Sequence, residues 1–245
     1  MKALQRLIVT SAVYRQSSRQ SPELLAVDPD NRLLARGARR RLAAEVVRDQ
    51  ALALSGLLTS RTGGPSVKPY QPEGLWKEIA TDMEYEQSRG PDLYRRSLYT
   101  YWKRTVAAPL MVTFDATSRE VCTVSRGRTN TPLQALALMN DVTFVEAARV
   151  LAQRELSTGA RSVSERIERM FRIVTLRVPT ARELEILCAR YERNVEVYRR
   201  QPEAALALNR VGESAVPEAL DAGELAALTT VASVLLNLDE VITRE

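Results

Sequence analysis

The run Thr131-Pro-Leu-Gln-Ala-Leu-Ala-Leu-Met-Asn140-Asp141 decides the fold class. Thr131 is a helix N-cap, Pro132 suits the first helical position, and Gln134 is placed to reach back to the capping residue. Leu133, Leu136, Leu138, Met139, Phe144 and Val145 then predict one helix running to about Leu156, closed by Ser157-Thr158-Gly159. The same punctuation recurs downstream. Ser162-Val-Ser-Glu165, Thr180-Ala-Arg-Glu183 and Asp221-Ala-Gly-Glu224 each set a cap ahead of an apolar stripe. The stripes are Ile167, Met170, Phe171 and Val174; Leu184, Leu187, Tyr191 and Val195; Leu225, Leu228, Val231 and Leu235. Residues 200–222, with Pro202, Gly212 and Pro217, read as a looser connection.

Upstream the signals are weaker but of the same kind. Leu4, Leu7, Ile8 and Val9 space an amphipathic helix within residues 1–16. Ser21-Pro22-Glu23 starts a short turn of helix, and Leu42, Val46, Val47, Leu54, Leu57 and Leu58 stripe another. Arg39-Arg40-Arg41 reads as the solvated end of that helix. Ser60–Pro72 is a Gly- and Pro-rich ordered loop. Aromatics follow it at Tyr70, Trp76, Tyr85, Tyr94, Tyr99, Tyr101 and Trp102; they suit packing at the edge of a small core better than base or sugar stacking. Leu93–Trp102 fits either helix or strand, its Tyr and Trp content tipping it toward extended structure. Of 245 residues 45% are hydrophobic but only 5% aromatic, so Ala and Leu fill the core. The expectation is a mainly α protein: an irregular helical domain with long ordered loops and at most a minor β element. It divides at the Thr131 cap into an N-terminal helical and loop region, 1–130, and a C-terminal helical region, 131–245, within one continuous domain.

Just ahead of that cap lies a dense polar block. Asp115, Arg119, Glu120, Cys122, Arg126, Arg128 and Asn130 fall within a short irregular run. Asp115 and Glu120 are its candidate acids, an arrangement glycoside hydrolysis could use. The neighbouring arginines would hold both carboxylates ionised, which suits a base or nucleophile better than an acid. A calcium site from Asp115, Glu120 and Asp141 lacks Asp-x-Asp-x-Asp spacing. The favoured reading is structural: Arg119, Arg126 and Arg128 bridge Asp115, Glu120 and backbone carbonyls in an ion-pair knot.

Composition removes many chemistries. There is no His, which excludes Ser-His-Asp and Cys-His catalysis, His-ligated haem and HExxH zinc sites from these residues. Cys122 and Cys188 are the only cysteines and read as small hydrophobes. No metal site and no cofactor of the chain's own are expected. The net charge is +5; Lys occurs only at positions 2, 68, 77 and 103, leaving 31 Arg among 30 acids. Those charges interleave, so ion pairing is expected over nucleic-acid binding, for which Arg39–Arg41 is the one candidate patch. No run of 18 apolar residues exists, and Arg6 interrupts the only signal-like stretch. The chain as it stands would then be cytoplasmic.

At residues 114–141 the pattern Phe-Asp-x-x-x-Arg-Glu-x-Cys-x-x-x-Arg, followed by Thr129-Asn130-Thr131-Pro132-Leu133-Gln134-Ala135-Leu136 and Asn140-Asp141, resembles the planctomycete PSD domain family. Arg6–Ser18, Asn31–Leu34, Gly64–Val67 with Pro69–Pro72, Tyr94–Tyr99 and Leu236–Glu240 resemble the family too, so the likeness spans nearly the whole chain. Thr117 departs from it, standing where the family usually has Pro. The resemblance implies a domain of unknown function from large exported or periplasmic bacterial proteins, often beside planctomycete cytochrome C domains. Haem would belong to those neighbours. It also implies that Met1 falls inside the domain, so that Leu4, Leu7 and Ile8 expose apolar surface meant for a preceding portion. The function expected is an interaction or structural module without catalysis of its own. A carbohydrate-directed enzyme fragment using Asp115 and Glu120 is the first alternative, an Arg-based nucleic-acid binder the second.

Overall fold

The computed structural model describes residues 1–78, 84–103, 105–159 and 162–244. Among them twelve α-helices carry the fold, and the only sheet is a two-residue antiparallel pair. The N-terminal part holds α1 (Lys2–Thr10), α2 (Pro22–Val27), the strand β1 (Arg40–Arg41), α3 (Ala44–Ser55), α4 (Leu75–Glu78) and α5 (Pro109–Thr113). The C-terminal part holds α6 (Pro132–Asn140), α7 (Val142–Ser157), α8 (Val163–Thr175), α9 (Ala181–Arg200) and α10 (Pro202–Asn209). It closes with α11 (Ala222–Leu236), α12 (Asp239–Ile242) and β2 (Thr243–Arg244). The protein is mainly α, as the capping pattern predicts.

The caps do what their residues allow. Ser162 and Thr180 both form reciprocal capping boxes with Glu165 and Glu183, and Asp221 accepts the Glu224 N–H. Two departures are instructive. The helix expected from Leu133 to Leu156 is two helices, because Asp141 turns out of helical geometry (φ −65°, ψ 135°) and caps α7 through the Thr143 N–H at 2.9 Å. And the looser stretch after residue 200 contains α10, with Pro202 at its first position.

The centre is α11 packed on α7. Ala147, Ala148, Leu151 and Ala152 of α7 and Leu225, Ala227, Leu228, Val231, Ala232 and Leu235 of α11 are essentially inaccessible. Alanines at facing positions let two backbones approach closely, and leucines fill the remaining space. Val47 and Ala51 of α3, the α8 stripe, and Leu187, Tyr191 and Val195 of α9 complete one core. β1 and β2 pair Arg40 with Arg244 and Arg41 with Thr243, fixing the entrance of α3 to the C-terminal segment.

The described residues of the 57–103 stretch are largely irregular, and polar anchors hold them. Leu93–Trp102 is neither α-helix nor strand but a run of tight turns with one 3-10 turn, Ser97–Tyr99, and single bridges, Thr59 to Arg95 and Val67 to Thr100. Glu146, fully buried on α7, accepts the hydroxyls of Tyr70 (3.0 Å) and Tyr94 (2.8 Å) and the Ser214 N–H (2.7 Å). Buried Arg149 lies 3.7 Å from it and donates to the Ser214 carbonyl. Gly212 (φ 90°) closes over this centre: a Cβ there would stand 2.2 Å from the Glu146 carboxyl carbon. Buried Arg48 donates to the Leu93 and Arg95 carbonyls, and buried Arg95 to those of Pro65 and Gly63. The aromatics are likewise engaged, with the Lys68 ammonium 5.5–5.9 Å from the rings of Trp76, Tyr85 and Tyr101.

At the other end of the core Arg177 forks between Glu183 (2.6 Å) and Glu240 (2.7 Å), linking α9 to α12. Hydrogen bonding to Arg177, and then to the Thr180 backbone, holds the Glu183 carboxyl down at about 2. Its folded value lies below its unfolded one, so its stabilisation is present above pH ~4.5 and lost as pH falls toward 2. Glu183→Gln should therefore flatten the loss of stability over that window in urea melts; an unchanged slope would exclude the pair as its source. Glu146→Ala, by contrast, strands Arg149 and two tyrosines. It should cost about 3–5 kcal/mol, lowering Tm by about 10 °C, with the first loss of hydrogen-exchange protection in residues 57–103. An unaltered Tm would show the centre to be dispensable.

Candidate functional site

The polar block forms one side of a cleft of about 520 Å³. Arg40, Arg41 and the backbone entering α3 line the opposite side, with Phe114, Asp115 and Gln134 between. The cleft thus lies where β1, the start of α3, the end of α5 and the start of α6 converge.

Asp115 organises the block. It follows α5 in the left-handed region (φ 60°), which Asp tolerates better than most residues. Its carboxylate accepts the Thr129 N–H (2.6 Å) and hydroxyl (2.8 Å), so it joins the two ends of the 115–129 loop. Gln134, only 1% exposed, does not reach back to its capping residue. Its Nε2 donates instead to the Thr113 carbonyl and the Thr129 hydroxyl, both at 3.0 Å, and at 3.4 Å to Asp115, while its Oε1 is buried without a partner.

The arginines are not where an ion-pair knot would put them. Arg126 reaches out of the block to Glu45 in the first turn of α3, donating to both carboxylate oxygens (2.8 and 3.0 Å). Partial burial pushes the Glu45 carboxyl up, but Arg126, Glu45's own backbone and the charge of Arg119 together hold it below its ordinary value. Arg119 lies over the Trp102 ring at 4.6 Å. Glu120, Cys122, Arg128 and Asn130 are exposed, and among the described residues neither Glu120 nor Arg128 makes an ion pair. Asp115 and Glu120 share no partner, and Glu120 stands outside the cleft. The expected knot is therefore corrected: hydroxyl, amide and backbone donors compensate Asp115, and Arg126 serves Glu45. The block's charges are close in sequence, but the loop is too extended to fold them onto one another.

Other candidates fall elsewhere. Cys122 and Cys188 are free thiols. Asp141 is spent as the α7 cap, its carboxyl raised by burial. No group of three or more His, Cys, Asp or Glu among the described residues is placed to hold a metal ion. The Arg39–Arg41 triplet is split rather than a solvated helix end. Arg39 pairs with Asp239, the Arg41 side chain is only 11% exposed, and Arg40 points outward. Burial draws the Arg41 guanidinium below its ordinary value, partly offset by Asp115. Glu45 and Gln134 are the site residues that sequence reasoning missed, while Arg40 and Arg41 read in the sequence as part of a helix end or a nucleic-acid patch rather than as cleft wall. An Arg pair just before a helix start that lacks a capping side chain was the available signal.

The two acids should respond differently to removal. Asp115→Ala is expected to cost about 1–3 kcal/mol through lost and stranded hydrogen bonds and to hasten proteolysis within 116–130. Glu120→Ala should stay within about 0.5 kcal/mol of the parent; equal losses would mean the two carboxylates act together after all.

No curated protein and no solved structure matches the chain. No helix among the described residues is long and apolar enough to cross a membrane. Residues 1–191 match the model of the family described as PSD1, protein of unknown function (DUF1553), and the chain belongs to that family.

Proposed function

We propose that this chain is a non-catalytic interaction module of a larger exported protein, docking another polypeptide segment through its first forty residues. One observation carries the reading. Leu4, Leu7, Ile8, Val9, Val13 and Tyr14 are 45–68% exposed, and Leu25, Val27, Leu33 and Leu34 are exposed with them. The first residue fully buried in the core is Ala44, with Leu42 packed partly buried beside it. So large a run of uncovered apolar side chains marks an interaction surface. α1 itself has nine residues, all exposed, too few for a stable helix alone in water.

The segment is nonetheless shaped. Buried Asp28 accepts the Arg32 and Leu33 N–H groups, and buried Arg36 donates to the Asp28 and Pro29 carbonyls. A polar clasp thus presents an apolar outside. Charge narrows the partner. Residues 1–40 hold eight basic and three acidic residues, whereas the remainder holds 27 of each, so the whole net charge of +5 resides in this segment. Its complement is an apolar protein surface rimmed by Asp and Glu. An anionic membrane has the same complementarity; residues 1–40 offer it Leu but no Trp or Phe, and α1 has only nine residues, so a protein partner is the reading taken here. Against catalysis stand the use of Asp115 as a loop staple and the isolation of Glu120. With no His, the chain carries no His-ligated haem; in this reading cytochrome-type chemistry belongs to neighbouring domains.

Hydrogen exchange on this chain and on the longer protein that contains it tests the proposal. The amides of Leu4–Thr10 should exchange freely in the former and be protected in the latter, and Leu7→Asp should abolish that protection while leaving the isolated chain's Tm unchanged. Equal exchange in both, protection by phosphatidylglycerol vesicles, or protection that follows self-association in sedimentation would each overturn it.

A further inference from the structure

We infer that the cleft between β1 and the 124–128 loop binds a small oxyanion-bearing polyol, a sugar carboxylate or sugar phosphate. The inference is independent of the docking surface at residues 1–40, which lines no part of this cleft except through Arg40.

Four observations define the ligand. First, the charge is unbalanced. Arg126 is neutralised by Glu45, and Asp115 is satisfied by Thr129 and Gln134, but Arg40 and Arg128 make no ion pair among the described residues. Arg41 has Asp239 at 3.9 Å and feels the charge of Asp115, against three further arginines on the cleft wall, and its Nε is buried without an acceptor. A guanidinium nearly out of solvent with an idle N–H calls for an oxyanion, which offers planar, paired acceptors.

Second, α3 begins here at Ala43 with no side-chain cap, so its positive end adds to the same field. Third, Gln134 supplies the opposite demand. The Thr113 carbonyl can only accept, so it must face the Nε2 of Gln134; Oε1 is then an acceptor, buried and unpaired. A ligand that brings an O–H or N–H next to its anionic group would supply the donor that this oxygen lacks. A bare sulfate has none; a sugar acid has several.

Fourth, the size fits. About 520 Å³ is far more than an inorganic ion needs and falls within the range of small-molecule sites, about 300–1,000 Å³. Arg128 and Arg126 sit on the exposed 124–128 loop, which gives the ligand an open side to enter by. The site would hold its ligand by hydrogen bonds and charge alone, with no group poised for proton transfer.

Calorimetric titration with glucuronate, glucose 6-phosphate, sulfate and glucose tests this, and the two sugar anions separate carboxylate from phosphate preference. At least one sugar anion should bind, with sulfate about tenfold weaker or worse and glucose not measurable. Backbone amide shifts should concentrate at Ala44 and Gly127. Arg41→Gln and Arg128→Gln should each weaken binding about tenfold or more, and added salt should weaken it further. Arg128 is exposed, so its variant keeps the test valid even if Arg41→Gln destabilises the fold; Arg200, 81% exposed on α9, is the control, and Arg200→Gln should bind like the parent. Sulfate binding as tightly as the sugar anions, unchanged binding by Arg128→Gln, or no sugar-anion binding at 10 mM would each overturn the assignment.

Discussion

Glu146 is the charge on which the arrangement depends. A carboxylate with no solvent access is tolerable only if its environment supplies donors, and here three donors from separate places in the chain, Tyr70, Tyr94 and the Ser214 N–H, meet it, with the Arg149 guanidinium 3.7 Å away on the same helix. Satisfying one buried group therefore fixes the Pro-rich loop, the turn at residue 94 and the loop after α10 against α7. Burial raises both tyrosine hydroxyls, the proximity of Glu146 adding to it, so they remain donors across any ordinary pH. Arg48 and Arg95 extend the principle, using guanidinium forks to gather carbonyls that no strand or helix pairs. This is how a region with so little regular structure keeps a defined path beside a helical core.

The molecule is electrostatically divided. Beyond residue 40 positive and negative charges balance, and many are spent on one another or on backbone groups. Before it, basic residues dominate and apolar side chains face outward. The arginine-lined cleft lies at the seam: β1 ends the clasped segment, and Ala44 begins the core. Occupation of the cleft and docking of the first forty residues would thus act on adjoining pieces of one stretch of backbone.

What could be read from the sequence follows from the range of the forces involved. The caps at Thr131, Ser162, Thr180 and Asp221 operate within four residues, so their signatures are local and the helices they start were legible. Asp141 escaped because an apolar period ran straight through it; one side-chain acceptor outweighed the pattern. Pro202 reads in the sequence as a breaker, but in the fold it is a beginning, the first position of α10. The irregular middle was opaque because Arg48 meets its carbonyls more than forty residues away and leaves no period in the sequence. The site shows the same limit. The polar block was visible, but Arg126 finds Glu45 across 81 positions, and Arg40 pairs with Arg244 through a strand that no short-range signal announces.

The Glu146 centre also sets a schedule for biogenesis. Its first tyrosine emerges at position 70, its carboxylate at 146, and the loop that seals it only at 212–214. At translation rates of about 5–20 residues per second, Tyr70 waits on the order of ten seconds for its last partner. Until then residues 57–103 have no fixed docking place, and a chain stalled or cut short of Ser214 would present them to chaperones and proteases as an unfinished surface.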